Sequence, residues 1–284
     1  MNNKLRNAFL GAVLTSGLTA CTASQGILPV ATDTDNDIDT SYHPIIEIRD
    51  VITLGETYRI ESEFNNAVRA IYNNNNPNQH SITITIDSPG GVVNEGYRIM
   101  DQIKNSPMPV HLKCENQAAS IAAIILIAAT GINRDATEDC SIMIHQSYFN
   151  IFDPHIPNRI IGKTIYEDMQ PHYEIVKQNP ASQKVTIKQK GYPPYDLSRT
   201  TLIYWFEKLA EYRNTVKDKL SATTSLNPND IEIMLGKGDV YFSAESAAFA
   251  GMIDTINGAP PTEMQLQQGQ IEFCSNLPQL SLCT

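Results

Sequence analysis

The sequence predicts an α/β fold with a mostly parallel sheet, and three observations carry that expectation. Ser81-Ile-Thr-Ile-Thr-Ile86 is almost wholly β-branched, the composition of a strand in a covered sheet. Strand-like and helix-like stretches alternate from Ser81 to Ile144, which is the order of βαβ units with right-handed crossovers. Within that alternation Ile121 to Ala129 is unbroken apolar. It suits a helix buried on all sides and is far shorter than the roughly 20 residues a membrane span needs.

In chain order, the folded part is expected to begin near Ile45 with Ile-Ile-Glu-Ile and then Val51-Ile-Thr-Leu. Ile60, Phe64, Ala67, Val68 and Ile71 recur at helical spacing and predict an amphipathic helix over about 58–73. The asparagine-rich 73–78 stretch is a loop, followed by the 81–86 strand and the turn Asp87-Ser-Pro-Gly-Gly91. Val93, Tyr97, Met100 and Ile103 share one face of a second helix over 92–104. Pro109 to Cys114 reads as a short strand leading to the central helix, and Ser141 to Ile144 as another.

Residues 149–197 break the rhythm with prolines and aromatics and one strand-like run, Lys184 to Lys188. A block of that length inside a compact domain predicts an inserted arm, such as a lid or contact element. Leu202, Trp205, Leu209, Tyr212, Val216 and Leu220 then form a stripe on a long helix, packed on its own core or against another subunit. Shorter helices follow from Asn227 and over 242–249. The Gln- and Pro-rich tail from Gly258 to Thr284 is expected to be peripheral.

Composition narrows the function classes. The 284 residues carry a formal charge of −10 with no Lys/Arg run, which argues against nucleic acid as a partner. Lys4 and Arg6, then the small apolar stretch Ala8 to Leu18, read as a secretory signal over residues 1–20. It ends in Leu18-Thr19-Ala20-Cys21, which resembles the bacterial lipobox, so Cys21 is the expected lipidation site. Several acyl chains, palmitate among them, would anchor the chain stably to a membrane, where one would not. Residues 21–44 are polar and acidic and suit a flexible tether to a domain spanning 45–257. The expected location is the bacterial cell envelope, lipid-anchored on the periplasmic side of the outer membrane.

Export would put Cys114, Cys140, Cys274 and Cys283 in an oxidising compartment. The four allow three pairings, with Cys274–Cys283 a short local loop, and free buried thiols are the alternative. No cysteine–histidine spacing suits zinc, and neither metal nor cofactor is expected.

One hydroxyl, Ser120, sits where the buried helix begins, between the Gly90-Gly91 turn and His145 of Met143-Ile-His-Gln146. A serine hydroxyl is a weak nucleophile and needs an adjacent base. Histidine suits that task, with an ordinary pKa of about 6.5. The free N–H groups of a helix start and a glycine turn can hold an oxyanion. These residues point to acyl transfer. The bland alternatives are a serine N-cap, a core histidine and a plain turn.

Asp87-Ser-Pro-Gly-Gly, Gln117-Ala-Ala-Ser, Met143-Ile-His-Gln and Asp239-Val-Tyr-Phe-Ser-Ala together resemble the signature segments of the Clp protease proteolytic subunit. They stand in the family's order, over about 45–147 and 198–256. The resemblance implies a Clp/crotonase-type fold of repeated ββα units. It also implies a serine peptidase triad of Ser120, His145 and Asp239, with the amides of Gly91 and Ile121 as oxyanion hole. Asp230 and Asp254 compete with Asp239 for the acid. The interval from His145 to Asp239 exceeds the family's because of the inserted block, in the region that in the family serves ring contacts and peptide docking. A homo-oligomer stays compatible with the resemblance, whereas an ATPase partner is not expected of an exported lipoprotein. The leading expectation is thus a membrane-tethered, ATP-independent serine endopeptidase acting on peptides or proteins. A non-peptidase acyl hydrolase on the same fold, and a catalytically silent lipoprotein that binds a partner through the insertion, are the competing readings.

Overall fold

The computed structural model describes residues 43–73, 80–128, 133–152, 160–165, 173–179, 184–189 and 194–283. The signal-like segment, Cys21 and almost all of the acidic tether lie outside the described residues. Among the described residues no helix is long and apolar enough to cross a membrane.

The first half alternates as expected. Strand β1 (Ile45–Ile48) precedes helix α1 (Leu54–Asn73), β2 (Ile82–Ser88), α2 (Val93–Lys104), β3 (Val110–Ala119), α3 (Ile121–Ile127), β4 (Asn133–Ala136) and β5 (Ser141–Ile144). Helix α1 buries Ile60, Phe64, Ala67 and Ile71, the stripe the periodicity marks. It starts a turn earlier than the apolar pattern suggests, because Thr53 caps it: the Glu56 N–H donates to Thr53 Oγ1 at 3.3 Å. Every residue of α3 is buried. Strand β3 runs five residues beyond Cys114, since Asn116 and Gln117 are exposed on a strand whose next residues, Ala118 and Ala119, return to the core.

The block over 149–197 contains strands. β6 (Tyr148–Phe152) pairs antiparallel with β7 (Ile160–Ile165), and β8 (Tyr173–Asn179), β9 (Lys184–Gln189) and β10 (Tyr195–Ser198) form a separate antiparallel sheet. Then come α4 (Arg199–Thr223), α5 (Pro228–Gly236), β11 (Val240–Phe242), α6 (Ala244–Phe249), β12 (Thr255–Ile256) and α7 (Glu263–Asn276). Ser198 caps α4 by accepting from the Thr201 N–H at 3.0 Å. Asn227 caps α5, with Pro228 in the first turn where its missing N–H costs nothing.

The main sheet has the order β1-β2-β3-β4-β12, and every pairing along it is parallel. β3 changes partner along its length. His111 to Cys114 pair with β4, and Gln117 to Ala119 pair with β5, which in turn carries β11 antiparallel. This fork delivers the ends of β3 and β5 to one place. A disulfide, Cys114–Cys140, joins the strands there, and a second links Cys274 to Cys283.

The tail is not peripheral. A capping box at Thr262 and Gln265 starts α7. Phe273, fully buried, stacks on Phe242 with ring centroids 5.7 Å apart and meets Phe249 edge-on. Composition hid this because α7 packs through few large side chains and through Gly269, whose α-carbon lies against the Glu245 carbonyl.

Candidate active site

The fork of the sheet places Ser120 at the end of β3 and His145 just past the end of β5. Ser120 Oγ and His145 Nε2 lie 2.8 Å apart. The Ser120 N–H donates to the Met143 carbonyl at 2.8 Å, so the two strands are bonded up to the site itself. Ser120 has φ 57° and ψ −125°, a conformation L-residues rarely adopt and one that costs on the order of 1–3 kcal/mol. This sharp bend turns the chain from strand to helix. It leaves the hydroxyl without a capping bond to α3, so the side chain faces His145 instead.

The turn over 87–91 packs directly against this bend. Ser88, fully buried, donates to the Asp50 carbonyl at 2.7 Å and accepts from the Gly90 N–H at 3.1 Å. A β-carbon on Gly90 (φ +90°) would fall 2.5 Å from the Ala119 carbonyl oxygen and 2.7 Å from Ser120 Cβ. One on Gly91 would fall 2.2 Å from the Ile52 carbonyl oxygen. Ile52 bonds the residues flanking Gly91: its N–H donates to the Gly90 carbonyl, and its carbonyl accepts from Val92, both at 2.8 Å. The amide of Gly91 therefore faces away from Ile52, and Gly91 lines the cleft. The Ile121 N–H, first in α3, has no intrahelical acceptor. Among the described residues neither amide donates to a protein acceptor. Ile121 follows Ser120 directly in the chain, and Gly91 lines the same cleft as Ser120.

Ser120, His145, Gly91 and Asp239 all line one cleft of about 780 Å³. Its other walls include Val92, Met143, Tyr148, Phe149 and Tyr212. Phe149 stacks on Trp205 with centroids 5.9 Å apart, so the inserted block contributes cleft wall and is tied to α4 there. Tyr212 donates to Asn94 Oδ1 at 3.0 Å. Its phenol is pushed above the ordinary range, chiefly by burial and against the pull of the Asn94 bond, so it stays protonated at neutral pH. By its spacing Tyr212 belongs to a helix stripe, and no motif in the sequence ties Asn94 or Tyr148 to the site. A polar ring within an apolar stripe was the available signal.

The expected acid is placed differently from Ser120 and His145. Asp239, exposed on the cleft wall just before β11, makes no hydrogen bond to His145. His145 Nδ1 lies instead 2.7 Å from the main-chain oxygen of Gln146. The competing carboxylates are elsewhere and engaged. Asp230 is buried and accepts from the Ser281 N–H at 2.9 Å and from the Ser281 hydroxyl. Asp254 is bonded twice by the Arg134 guanidinium, at 2.6 and 3.0 Å. Among the described residues no group of three His, Cys, Asp or Glu side chains could hold a metal ion.

Part of the chain is similar in sequence to known proteins. Residues 34–155 match the Clp protease family, a stretch that includes Gly91, Ser120, Ile121 and His145 and ends before Asp239. The chain is 33% identical over 112 residues to ATP-dependent Clp protease proteolytic subunit 1 of Chlamydia caviae, covering 39% of this chain and 54% of that protein. It is 32% identical over 96 residues to proteolytic subunit 2 of Synechococcus sp., covering 34% and 49%. With proteolytic subunit 2 of Bacillus licheniformis it shares 38% over 93 residues, covering 31% and 49%. The chain thus spans about half the length of the curated relatives it matches. Over residues 34–155 the chain is thus similar to the Clp protease family, and the mostly parallel forked sheet is consistent with that likeness.

Proposed function

We propose that the chain is a serine endopeptidase that cleaves peptide bonds through an acyl-enzyme on Ser120. One observation carries the reading: a hydroxyl and an imidazole nitrogen 2.8 Å apart, beside two unused amides in an open cleft. As Ser120 Oγ attacks the scissile carbonyl, His145 Nε2 takes its proton. The amides of Gly91 and Ile121 receive the oxyanion. The imidazolium then passes its proton to the leaving amine, and water repeats the sequence on the acyl-enzyme. Asp239 lines the wall of the same cleft.

The setting is part of the proposal. The signal-like start and Leu18-Thr19-Ala20-Cys21 favour an envelope protein held by lipid on Cys21, and two disulfides suit an oxidising compartment. The curated relatives are named as ATP-dependent subunits. A chain held outside the cytoplasm would work without ATP, with Phe149 and Asn150 of the inserted block meeting the substrate in the cleft and a homo-oligomer as the compatible assembly.

Hydrolysis of casein and fluorogenic peptides by the full chain tests the activity. It should vanish in Ser120→Ala and His145→Ala. Turnover of esters with none of peptides would instead select an acyl hydrolase, and undiminished peptidase activity in Ser120→Ala would refute the reading. Incorporation of labelled palmitate that disappears in Cys21→Ser tests the anchor.

A further inference from the structure

Gly96 stands one turn into α2, where glycine weakens a helix relative to alanine and no left-handed backbone calls for it. The neighbouring helix supplies the reason. A β-carbon on Gly96 would fall 2.1 Å from Ile121 Cγ1, 3.1 Å from its Cδ1 and 3.4 Å from its Cβ. Ile121 is the first residue of α3 and is only 3% exposed. A β-branched side chain in a helix holds one strongly preferred rotamer, so Cγ1 has little freedom to turn aside. Even a crowded contact of 3.0 Å would need the two helices to part by about 0.9 Å.

Neither helix can yield without moving the site. Helix α3 starts from Ser120, whose N–H donates to the Met143 carbonyl at 2.8 Å and whose carbonyl accepts from the Ile124 N–H at 3.2 Å. Helix α2 begins two residues after Gly91, and Val92 between them donates to the Ile52 carbonyl at 2.8 Å. Farther along α2, Arg98 donates to both carboxylate oxygens of Glu61 on α1, at 2.8 and 2.9 Å. A shift of α3 therefore carries the Ile121 amide with it, and a shift of α2 carries that of Gly91. Resting on the serine peptidase reading, we infer that Gly96 is a positioning residue. Its bare α-carbon sets the clearance between α2 and α3, and so the places of both amides proposed to receive the oxyanion.

The test is a size swap in the full-length protein: Gly96→Ala, Ile121→Ala and the two together, with kcat and KM on a fluorogenic peptide below each unfolding midpoint. Misplacing a group at the reacting centre by about 1 Å costs on the order of 10²-fold. Gly96→Ala is therefore expected to lower kcat about 10²-fold and to change KM by less than about threefold, because the amides serve the transition state more than the bound substrate. Truncating Ile121 removes Cγ1 and leaves Cβ at 3.4 Å, an ordinary contact, so the double variant should regain at least about tenfold over Gly96→Ala. A folded Gly96→Ala protein with kcat within about threefold of the parent would overturn the inference. So would losses that multiply in the double variant, the mark of independent sites. Should Gly96→Ala not fold, the double variant must fold and reach a kcat within about tenfold of Ile121→Ala, and a slower double variant would overturn the inference equally. A parent that hydrolyses no peptide would remove the peptidase reading alone. The same swap is then read in the rate at which a fluorophosphonate labels Ser120, and a rate unchanged by Gly96→Ala would overturn the positioning role.

Discussion

Replacing Gly91 with alanine offers the most quantitative view of how the backbone around Ser120 is used. The added β-carbon would lie 2.2 Å from the Ile52 carbonyl oxygen and 2.7 Å from the Ile52 nitrogen. Reaching even 3.0 Å demands a backbone shift of about 0.8 Å, against two hydrogen bonds that hold Ile52 to Gly90 and Val92. The shift falls on the amide proposed to meet the oxyanion. Misplacement by about 1 Å costs on the order of 10²-fold, and outright loss of one such donor about 10²–10³-fold in kcat. The expected result is therefore a kcat lowered about 10²–10³-fold, a KM changed far less, and a folded protein of somewhat lower Tm. Steady-state kinetics on a fluorogenic peptide, with circular dichroism as the control for folding, reads all three. A folded Gly91→Ala protein whose kcat stays within threefold of the parent would refute the role given to this turn.

Other substitutions test the scaffold. Cys114→Ser with Cys140→Ser opens a loop of 26 residues and should cost about 3.5 kcal/mol, read as a lower denaturation midpoint, with activity lost alongside because the link sits at the fork that brings β3 and β5 together. Burial would raise the Asp254 carboxyl, but the bonds from Arg134 outweigh it and hold the group below its ordinary value. Its stabilising contribution is thus present at neutral pH and lost on acidification through the carboxylate range, so the parent should lose stability below about pH 4 more steeply than Asp254→Asn does. Phe273→Ala should cost about 3–5 kcal/mol in unfolding free energy, since its ring is fully buried between Phe242 and Phe249; a loss below about 1 kcal/mol would return the tail to the periphery.

What the sequence made legible followed from side-chain pattern. The β-branched run became β2, the buried run became α3, and Ser141 to Ile144 became β5 with those bounds. Ser120 and His145 meet because each follows a strand of the same sheet. What stayed hidden depends on the main chain or on remote pairing. β4 reads Asn-Arg-Asp-Ala, a poor strand by composition. It is tolerated because Arg134 donates to Asp254 and to the carbonyls of Ile127 and Thr223, while Asp135 accepts from Thr255 and Gly258. The Cys114–Cys140 pairing needed the β3 fork, which no spacing reveals. The partner of His145 Nδ1 is a peptide oxygen, and residue identity does not reveal where a carbonyl points.

The central claim is that His145 makes the Ser120 hydroxyl a nucleophile. Treating the full-length protein with a fluorophosphonate and mapping the adduct by mass spectrometry tests it directly. The account predicts one covalent adduct, on the peptide that contains Ser120, absent from Ser120→Ala and slowed by orders of magnitude in His145→Ala. A parent protein that takes no label, or takes it at the same rate without His145, would contradict it.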